Sequence, residues 1–362
     1  MAQLNLPSVP PLDLRAAGEA RRRVDQLTKP PGSLGRIEEL AVRLCAIRGG
    51  LPTGGYPRRT IIVAAGDHGV VADGVSAYPA EVTAQMVHGF LAGHAAINAF
   101  ARAVGAVVYV ADFGVQAECG AGPFFIDAKV ARGTRNLAHE AALIGDAEVV
   151  RVLERGCDVL HEVVRRAPCD VVALGEMGIG NTTSASAIIA ALTGRPVREV
   201  TGRGTGLDDA GLARKIAVIE RALERCADRG WLTVARELGG YEIVGLAGMI
   251  VAAAALRLPV VLDGVVVAAA ALLAAAIAPE SIGYCIAAHR SREPGHAVAL
   301  AHLGLEPLLD LDLRLGEASG AALALPLLEA AARMISEMLT FAEAGVAQAG
   351  AAQAAEGLPS ER

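Results

Sequence analysis

The chain has 362 residues, which is enough for one large domain with an accessory lobe or for two domains. Hydrophobic residues make up 53% of it but aromatic residues only 3%, so the core must be aliphatic. Such a core favours helices packed on a parallel sheet over a sandwich or a barrel. The formal net charge is -6 and no basic stripe is present, which argues against a nucleic-acid partner.

Targeting and redox signals are weak. The first 26 residues lack the apolar stretch of a secretory signal. The longest apolar run, residues 264–278, is shorter than the roughly 20 residues of a membrane span and predicts a buried helix. The six cysteines are dispersed without a C-x-x-C pair, so neither a disulfide framework nor a zinc site is indicated. We expect a cytoplasmic protein with reduced thiols and no membrane partner.

The predicted elements change in character along the chain. Helices over 16–26 and 34–47 flank a turn at Lys29-Pro30-Pro31-Gly32-Ser33. Beyond residue 59, short apolar runs alternate with alanine-rich stretches. The runs predicted as buried parallel strands are 60–65, 106–111, 170–174, 259–262 and 284–288. The predicted helices are 83–104, 147–166, 184–192, 210–227, 243–257, 264–278 and 321–344.

This alternation predicts an α/β fold with a doubly wound, mostly parallel, Rossmann-like sheet. We expect residues 51–320 to form the large catalytic domain. Segments 1–50 and 321–350 are expected to form a small helical lobe, and 351–362 a disordered tail. Ligands of open α/β sheets bind beyond the carboxyl ends of the strands, so the loops after the strands should carry the chemistry.

The loop after the first predicted strand, residues 66–70, contains Asp67 and His68. It lacks the G-x-G-x-x-G of a dinucleotide-binding loop, which argues against a dehydrogenase. Asp67 and His68 either orient a substrate or satisfy loop backbone, and the sequence leaves both interpretations open. Further along the chain, Ser76 and Tyr78 are interpreted from the sequence alone as turn residues.

Two glycine-rich loops, residues 175–184 and 201–209, each precede a predicted helix. Glycine permits close backbone approach, and the N–H groups that open a helix favour an anion. The lysine of a Walker A loop is missing, so a monophosphate fits better than a triphosphate. Asp208 and Asp209 are expected at a helix N-terminus rather than on a metal. The residues predicted to bind the phosphate or nucleotide are Gly178, Gly180, Asn181, Thr182, Gly202, Arg203, Gly204, Thr205, Gly206 and Lys215.

Three ionisable residues near the end of the predicted domain remain ambiguous. His289 and His296 lack a third partner for a metal, so capping and packing are favoured over substrate contact. Glu317 lies among apolar and small residues. It is either a general base whose pKa is raised by desolvation or a helix-terminal glutamate stabilised by the dipole.

Five motifs occur in one order, and together they carry a family resemblance. They are LTKPPGSLG at 27–35, GDHGV at 66–70, EMGIGNTT at 176–183, GRGTG at 202–206 and LRLGE at 313–317. Over most of its length the chain closely resembles the nicotinate-nucleotide:dimethylbenzimidazole phosphoribosyltransferases of cobalamin biosynthesis. The resemblance implies transfer of the 5-phosphoribosyl group from nicotinate mononucleotide to 5,6-dimethylbenzimidazole, with inversion at the anomeric carbon, by a homodimer without metal or cofactor.

The resemblance also implies roles for single residues. Glu317 matches the proton acceptor of the family, and Glu176 is predicted to lie beside it, orienting the ribose or stabilising positive charge. The two glycine-rich loops and Lys215 would hold the 5'-phosphate. The residues predicted to form the acceptor pocket are Val75, Ser76, Tyr78, Gln85, Met177, Ser291 and Leu315.

One residue departs from the family pattern, in which glycine usually follows the glutamate. Here that residue is Ala318. If the position requires a positive φ, alanine is strained and Glu317 is displaced. Three other functions remain as alternatives: a related transferase with another azole or purine acceptor, a nucleotide-binding module without turnover, which would not need Glu317, and a nicotinamide dehydrogenase.

Overall fold

The computed structural model describes residues 4–347, so the tail predicted at 351–362 lies outside the described residues. The described chain divides into two compact units, residues 4–11 with 57–326 and residues 12–56 with 327–347. Residues 4–11 group with the larger unit because two side chains of that unit hold them. The Tyr284 hydroxyl donates to the Pro10 carbonyl at 2.9 Å, and Arg257 donates to the Pro11 carbonyl at 3.2 Å.

Helices form most of the described chain. In chain order they are α1 Leu14–Gln26, α2 Arg36–Arg48, α3 Val82–Ala92, α4 Ala96–Val104, α5 Asp146–Arg166, α6 Asn181–Thr193, α7 Val197–Val200, α8 Asp209–Arg225, α9 Trp231–Leu238, α10 Tyr241–Ala255, α11 Val265–Ile277, α12 Pro294–Leu303, α13 Ser319–Glu337 and α14 Phe341–Ala344. Short 3₁₀ helices cover Gly69–Asp73 and Pro279–Tyr284.

The larger unit is built on a sheet of six parallel strands. They are β1 Arg59–Gly66, β2 Ala106–Gly114, β3 Phe125–Asp127, β4 Val171–Met177, β5 Val260–Leu262 and β6 Cys285–Ala287. Their order, β3-β2-β1-β4-β5-β6, is that of doubly wound nucleotide-binding folds. The predicted fold class is therefore confirmed. A separate parallel pair joins β7 His289–Arg290 to β8 Leu309–Asp310.

The sequence prediction was wrong about several elements. The helix predicted over 83–104 is two helices, because Gly93 ends α3 with a left-handed φ of +79°. The helix predicted over 321–344 ends at Glu337, and Thr340 caps the new helix α14. Strand β3 and helices α7 and α9, of three, four and eight residues, were not predicted.

Glycines let helices α5 and α10 pack closely on each other. Gly156 of α5 packs so tightly on α10 that a Cβ there would lie 2.1 Å from the Gly245 carbonyl oxygen. Helix α11 is apolar and almost wholly buried, which confirms the buried helix predicted at 264–278. Within residues 4–347, no helix combines the length and the apolar character that crossing a membrane requires.

The smaller unit explains the Lys-Pro-Pro-Gly motif structurally. Lys29 and Glu38 form an ion pair at 2.8 Å, and both side chains are buried. The Glu38 carboxylate also accepts the Leu34 N–H at 3.0 Å, so it fixes the turn that leads into α2. Nearby, Leu27 pairs with Thr340 in an isolated antiparallel bridge.

The order of strands across the sheet reverses between the parallel neighbours β1 and β4. From β1 the chain continues to β2 and β3, and from β4 to β5 and β6. The loops after β1 and β4 therefore separate and leave a crevice, the place where open α/β sheets bind ligands.

Candidate active site

A cavity of about 320 Å³ opens beyond the carboxyl ends of β4, β5 and β6. It is lined by segments from six parts of the sequence, which the sheet brings together. The lining residues are Val75, Ser76, Tyr78, Glu176, Met177, Gly178, Ile179, Gly180, Asn181, Thr182, Gly204, Thr205, Gly264, Val265, Val266, His289, Ser291, Glu293, Arg314, Leu315 and Gly316.

The loop after β4 leads directly into the N-terminus of α6. Gly180 is the N-cap and has φ +92°, a left-handed backbone that favours glycine. At Gly178 a Cβ would lie 2.3 Å from the Gly66 carbonyl oxygen, so the loop touches the backbone that leaves β1. The Asn181 and Thr183 N–H groups donate to the Gly178 and Gly180 carbonyls, each at 3.0 Å. No side chain of the described residues caps α6, so the Thr182 N–H between them is the one that an anion can accept.

The second glycine-rich loop lies against the first through Lys215 of α8. The Lys215 ammonium is completely buried and donates to Thr182 Oγ1 at 2.8 Å. Burial lowers the pKa of Lys215 to about 8, although the charge of Glu293 partly offsets this effect. A Cβ on Gly204 would lie 3.3 Å from the Lys215 Nζ, so glycine leaves room for the ammonium.

Glu293 is a site residue that the sequence analysis missed. It lines the cavity, and its Oε1 accepts the Gly204 N–H at 3.0 Å. A Cβ on Gly202 would lie 2.1 Å from Glu293 Oε2. The carboxylate therefore fixes the 202–206 loop from a segment far away in sequence, a contact that no local motif reveals.

Glu176, near the end of β4, lines the cavity and is 9% exposed. Asn181 Nδ2 donates to its Oε2. Burial raises the pKa of Glu176 to about 8; the Asn181 bond opposes the rise, and the charges of Asp263, Glu242 and Glu317 add to it. In the free protein the side chain therefore carries a proton near neutral pH and can donate a hydrogen bond.

Glu317 precedes α13 and is 5% exposed. Burial raises the pKa of its carboxyl to about 7; the Ile97 N–H of α4 opposes the rise and the charge of Asp263 adds to it. Its Oε2 has no hydrogen-bond partner among the described residues. The raised pKa agrees with the general-base interpretation of this residue. Leu315 and Gly316 line the cavity, whereas Glu317, the next residue in the chain, is not part of the lining.

The histidines singled out in the sequence, His68, His289 and His296, lie in two different places. His68 Nε2 lies 2.7 Å from Glu242 Oε1, with both side chains fully buried. The Glu242 carboxylate also lies close to Gly66 and Gly178. A Cβ on Gly66 would lie 2.7 Å from its Oε2, and one on Gly178 would lie 3.4 Å from its Oε1. Asp67 satisfies loop backbone, since its Oδ2 accepts the Gln116 N–H.

His289 and His296 lie next to each other, with ring centroids 5.7 Å apart. His289 lines the cavity, and although burial alone would lower the pKa of this imidazole, Asp263 raises it. His296 accepts the Ser291 N–H on Nδ1 at 3.0 Å, so it packs and positions rather than facing a substrate. Burial lowers the pKa of His296 to about 3, and the ring is therefore neutral.

The structure brings most of the predicted site residues to one cavity. Those that line it are Glu176, Gly178, Gly180, Asn181, Thr182, Gly204, Thr205, Val75, Ser76, Tyr78, Met177, Ser291 and Leu315. Six other predicted site residues are within the described part of the chain but do not line the cavity: Glu317, Gly202, Arg203, Gly206, Lys215 and Gln85. Arg203 turns away, because its guanidinium pairs with Asp209 and donates to the Leu207 carbonyl at 2.8 Å. Gln85 is exposed on α3.

Asp208 and Asp209 behave as the sequence predicted. Asp208 is the N-cap of α8, and its carboxylate accepts the Gly211 N–H at 2.7 Å. Asp209 lies in the first turn of that helix, where a negative charge is stabilised by the helix dipole.

Glu176→Gln is expected to change how stability depends on pH. The folded state holds a proton on Glu176 up to about pH 8, whereas the unfolded chain releases it near its ordinary pKa of 4.5. The wild type should therefore lose stability as the pH rises through this window. Glutamine keeps the neutral amide at all pH values, so the variant should be more stable than wild type at high pH by about 1 kcal/mol or more, and equal to it at acid pH. Thermal unfolding across this range measures the difference, and a difference that does not vary with pH contradicts the raised pKa.

A family model described as a phosphoribosyltransferase matches residues 9–346. That class agrees with the fold and the site, because glycine-rich loops with a buried lysine suit a phosphate and two nearby carboxyls suit proton transfer. Among curated relatives, the nicotinate-nucleotide–dimethylbenzimidazole phosphoribosyltransferase of Chloroflexus aggregans is 54% identical over 93% of this chain and 96% of its own length. The enzyme of that name from Desulforudis audaxviator is 52% identical over 94% of this chain and 96% of its own length.

Solved structures agree with this result. A crystal structure of CobT from Thermus thermophilus has a TM-score of 0.89 and 50% identity, and the match covers 92% of this chain and all of that one. The chain therefore belongs to the nicotinate-nucleotide–dimethylbenzimidazole phosphoribosyltransferase family. The family resemblance of the five motifs is confirmed.

Proposed function

We propose that this chain transfers the 5-phosphoribosyl group of nicotinate mononucleotide to 5,6-dimethylbenzimidazole, giving α-ribazole 5'-phosphate and nicotinate. The observation that carries the proposal is the pair of carboxyl groups, Glu176 and Glu317, with raised pKa values next to a phosphate-type loop. The relatives of matching length bear the name of this activity.

The donor phosphate is assigned to the two glycine-rich loops. The α6 N-terminus offers the Thr182 N–H, and Lys215 supplies a positive charge behind Thr182. In this assignment Glu293 keeps the 202–206 loop in place through Gly204. Arg203 has no direct part in it, because its guanidinium is held by Asp209.

The reaction breaks one C–N bond and forms another. The bond from ribose C1' to the pyridinium nitrogen breaks, and its electron pair neutralises the nicotinate ring, so the leaving group needs no proton. The unprotonated ring nitrogen of the acceptor attacks C1' from the opposite face, which inverts the configuration. The proton on the other acceptor nitrogen then passes to Glu317, whose raised pKa suits a base at neutral pH.

The acceptor is flat and largely apolar, and the mouth of the cavity suits it. Tyr78 and Leu315 line the cavity while remaining 52% and 55% exposed. Exposed apolar groups on a concave surface are typical of a ligand-binding rim. Ser76, tied to Thr205 Oγ1 at 3.4 Å, offers a hydroxyl at this rim.

The test is to incubate the purified chain with nicotinate mononucleotide and 5,6-dimethylbenzimidazole and to detect nicotinate and α-ribazole phosphate by chromatography. We expect both products in equal amounts. Parallel reactions with other azoles and with purines rank the acceptors by kcat/KM. Absence of product with every acceptor contradicts the transferase function, and faster turnover of another base reassigns the acceptor.

We also propose that the enzyme is a homodimer, as the family resemblance implies. Sedimentation equilibrium of the purified chain, at 37.0 kDa per protomer, distinguishes a dimer from a monomer directly.

A further inference from the structure

Three consecutive residues before α13 have left-handed backbone conformations. Their φ angles are +87° at Gly316, +63° at Glu317 and +67° at Ala318. Each residue with a Cβ costs about 1–2 kcal/mol in this region, so Glu317 and Ala318 need support from their surroundings. We call residues 316–318 the left-handed turn.

Asp263 supplies that support from the end of β5. Its side chain is 1% exposed, and each carboxylate oxygen accepts a backbone N–H. Oδ2 accepts from Ala318 at 3.1 Å, and Oδ1 accepts from Ala321 at 2.9 Å. Hydrogen bonds to a buried charge are stronger than neutral ones, and a negative charge is also favourable at the N-terminus of α13.

Strand β4 clamps the left-handed turn from the other side. The Glu317 N–H donates to the Glu176 carbonyl at 3.3 Å. A Cβ on Gly175 would lie 2.1 Å from the Ala318 nitrogen, so the strand backbone and the turn are in direct contact. The position of Glu317 is therefore fixed by two strand ends, and Asp263 provides the charged half of the clamp.

We propose that Asp263 is a positioning residue for the reaction: by binding the N–H groups of Ala318 and Ala321, it holds the left-handed turn that aims the Glu317 carboxylate at the acceptor. Asp263 does not line the cavity, so it acts through Glu317 and not on a substrate. The inference rests on the proposed function, because it assigns work to the base of that reaction.

Asp263 also affects the proton affinity of Glu317. The groups that bear on this carboxyl are Asp263 of the β5 end, Glu176 of β4, the Ile97 N–H of α4 and, through Asp263, His289 of β7. Burial is the main reason that the pKa of Glu317 is raised to about 7, and the negative charge of Asp263 contributes to the same rise. Neutralising Asp263 should therefore lower the pKa of Glu317.

Asp263→Asn tests the proposal. The amide keeps the size of the side chain, but it leaves one N–H of the turn facing an NH₂ group. We expect kcat to fall by about 10²-fold, the cost of a small misplacement of a catalytic group, with the KM for nicotinate mononucleotide unchanged. The acid limb of the kcat/KM profile should move to lower pH, because the base loses its proton more easily.

Asp112→Asn is the matched control. Like Asp263, Asp112 is 1% exposed near a strand end, lies outside the cavity lining and accepts a backbone N–H, that of Val115 at 2.8 Å. It also pairs with Lys129 at 3.1 Å, and unlike Asp263 it bonds neither Ala318 nor Ala321. This variant should keep the wild-type kcat and pH profile, even if both variants lower the melting temperature. Equal kinetic effects in the two variants would show that Asp263 only stabilises the fold.

The double variant Asp263→Asn with Ala318→Gly tests the backbone argument. Glycine removes the Cβ strain at φ +67°, so kcat should recover in part while the shifted acid limb stays. If wild type is active and Asp263→Asn has the same kcat and pH profile, the inference is wrong but the proposed function stands. If wild type is inactive, the proposed function itself is wrong. If both Asp263 variants are insoluble, the carboxylate is a requirement of folding and the inference is wrong.

Discussion

Glu317→Gln is expected to lower kcat by about 10²- to 10⁴-fold, the range that a positioned general base contributes. The amide has the same shape but cannot take the acceptor proton. The KM for nicotinate mononucleotide should stay near the wild-type value, because the phosphate contacts assigned to Lys215 and the α6 N-terminus are untouched. Single-turnover measurements with chromatographic detection of α-ribazole phosphate give the size of the effect.

The pH dependence provides an independent check on the same residue. The base works when it is deprotonated, and the pKa of Glu317 is raised to about 7. Wild-type kcat/KM should therefore rise with pH through a midpoint near this value, and the rise should be absent in the glutamine variant. Glu280→Gln, on the 3₁₀ helix Pro279–Tyr284 and outside the cavity lining, is the control for a removed carboxylate. Retention of wild-type turnover by Glu317→Gln contradicts the assignment of the base.

Lys215→Met is expected to raise the KM for nicotinate mononucleotide by about 10- to 100-fold. A hydrogen bond to a charged group contributes about 1.5–3 kcal/mol, and the buried ammonium is the cation assigned to the phosphate. Methionine fills a similar volume without charge. Burial of the ammonium costs more free energy than the charge of Glu293 returns, as its lowered pKa shows, so the free variant should unfold at the same temperature as wild type or higher.

Two comparisons make this second result specific. Nicotinate riboside lacks the phosphate, so its kcat/KM should be nearly equal in wild type and Lys215→Met. The affinity of wild type for the mononucleotide should also decline above about pH 8, where the free amine loses its proton, and this decline should vanish in the variant. A variant with reduced kcat for both substrates would place Lys215 at the reacting carbon instead of the phosphate.

The sequence predicted the architecture well, because the main signals are local. Runs such as 60–65 and 106–111 are rich in β-branched residues, and they became the strands β1 and β2, which extend a few residues further and each end in glycine. The order of the strands placed the glycine-rich loops at one edge of the sheet. Local signals fail where an element is short: Phe125–Asp127 has three residues and pairs only with β2 among the described strands.

The carboxylates around the site were harder to predict. Asp263 follows a predicted strand, so the rule that chemistry follows strands could have singled it out, but a lone aspartate has no motif. Glu242 pairs with His68 across 174 residues, and Glu293 reaches Gly204 across 89. Such contacts depend on the packing of distant segments. Arg203, predicted to bind the phosphate, is bound instead by Asp209, six residues away, in a structure that holds no phosphate.

The sequence predicted that Ala318 would be strained if its position required a positive φ. The residue does have a positive φ, so the strain anticipated from the sequence exists. Its methyl group nevertheless finds space, because Gly175 beneath it has no side chain. The strain relieved by glycine and the buried methyl lost with it are each about 1 kcal/mol, so the substitution costs the fold little.

The cavity has a buried side and an exposed side: the fully buried Lys215 lies behind the lining residue Thr182, whereas the lining residues Tyr78 and Leu315 are more than half exposed. A nucleotide whose phosphate must reach the bottom has to enter before a flat base covers the mouth. We therefore expect the donor to bind before the acceptor. A bound base would then cover the mouth of the cavity and reduce the access of water to the ribose C1' while positive charge develops there.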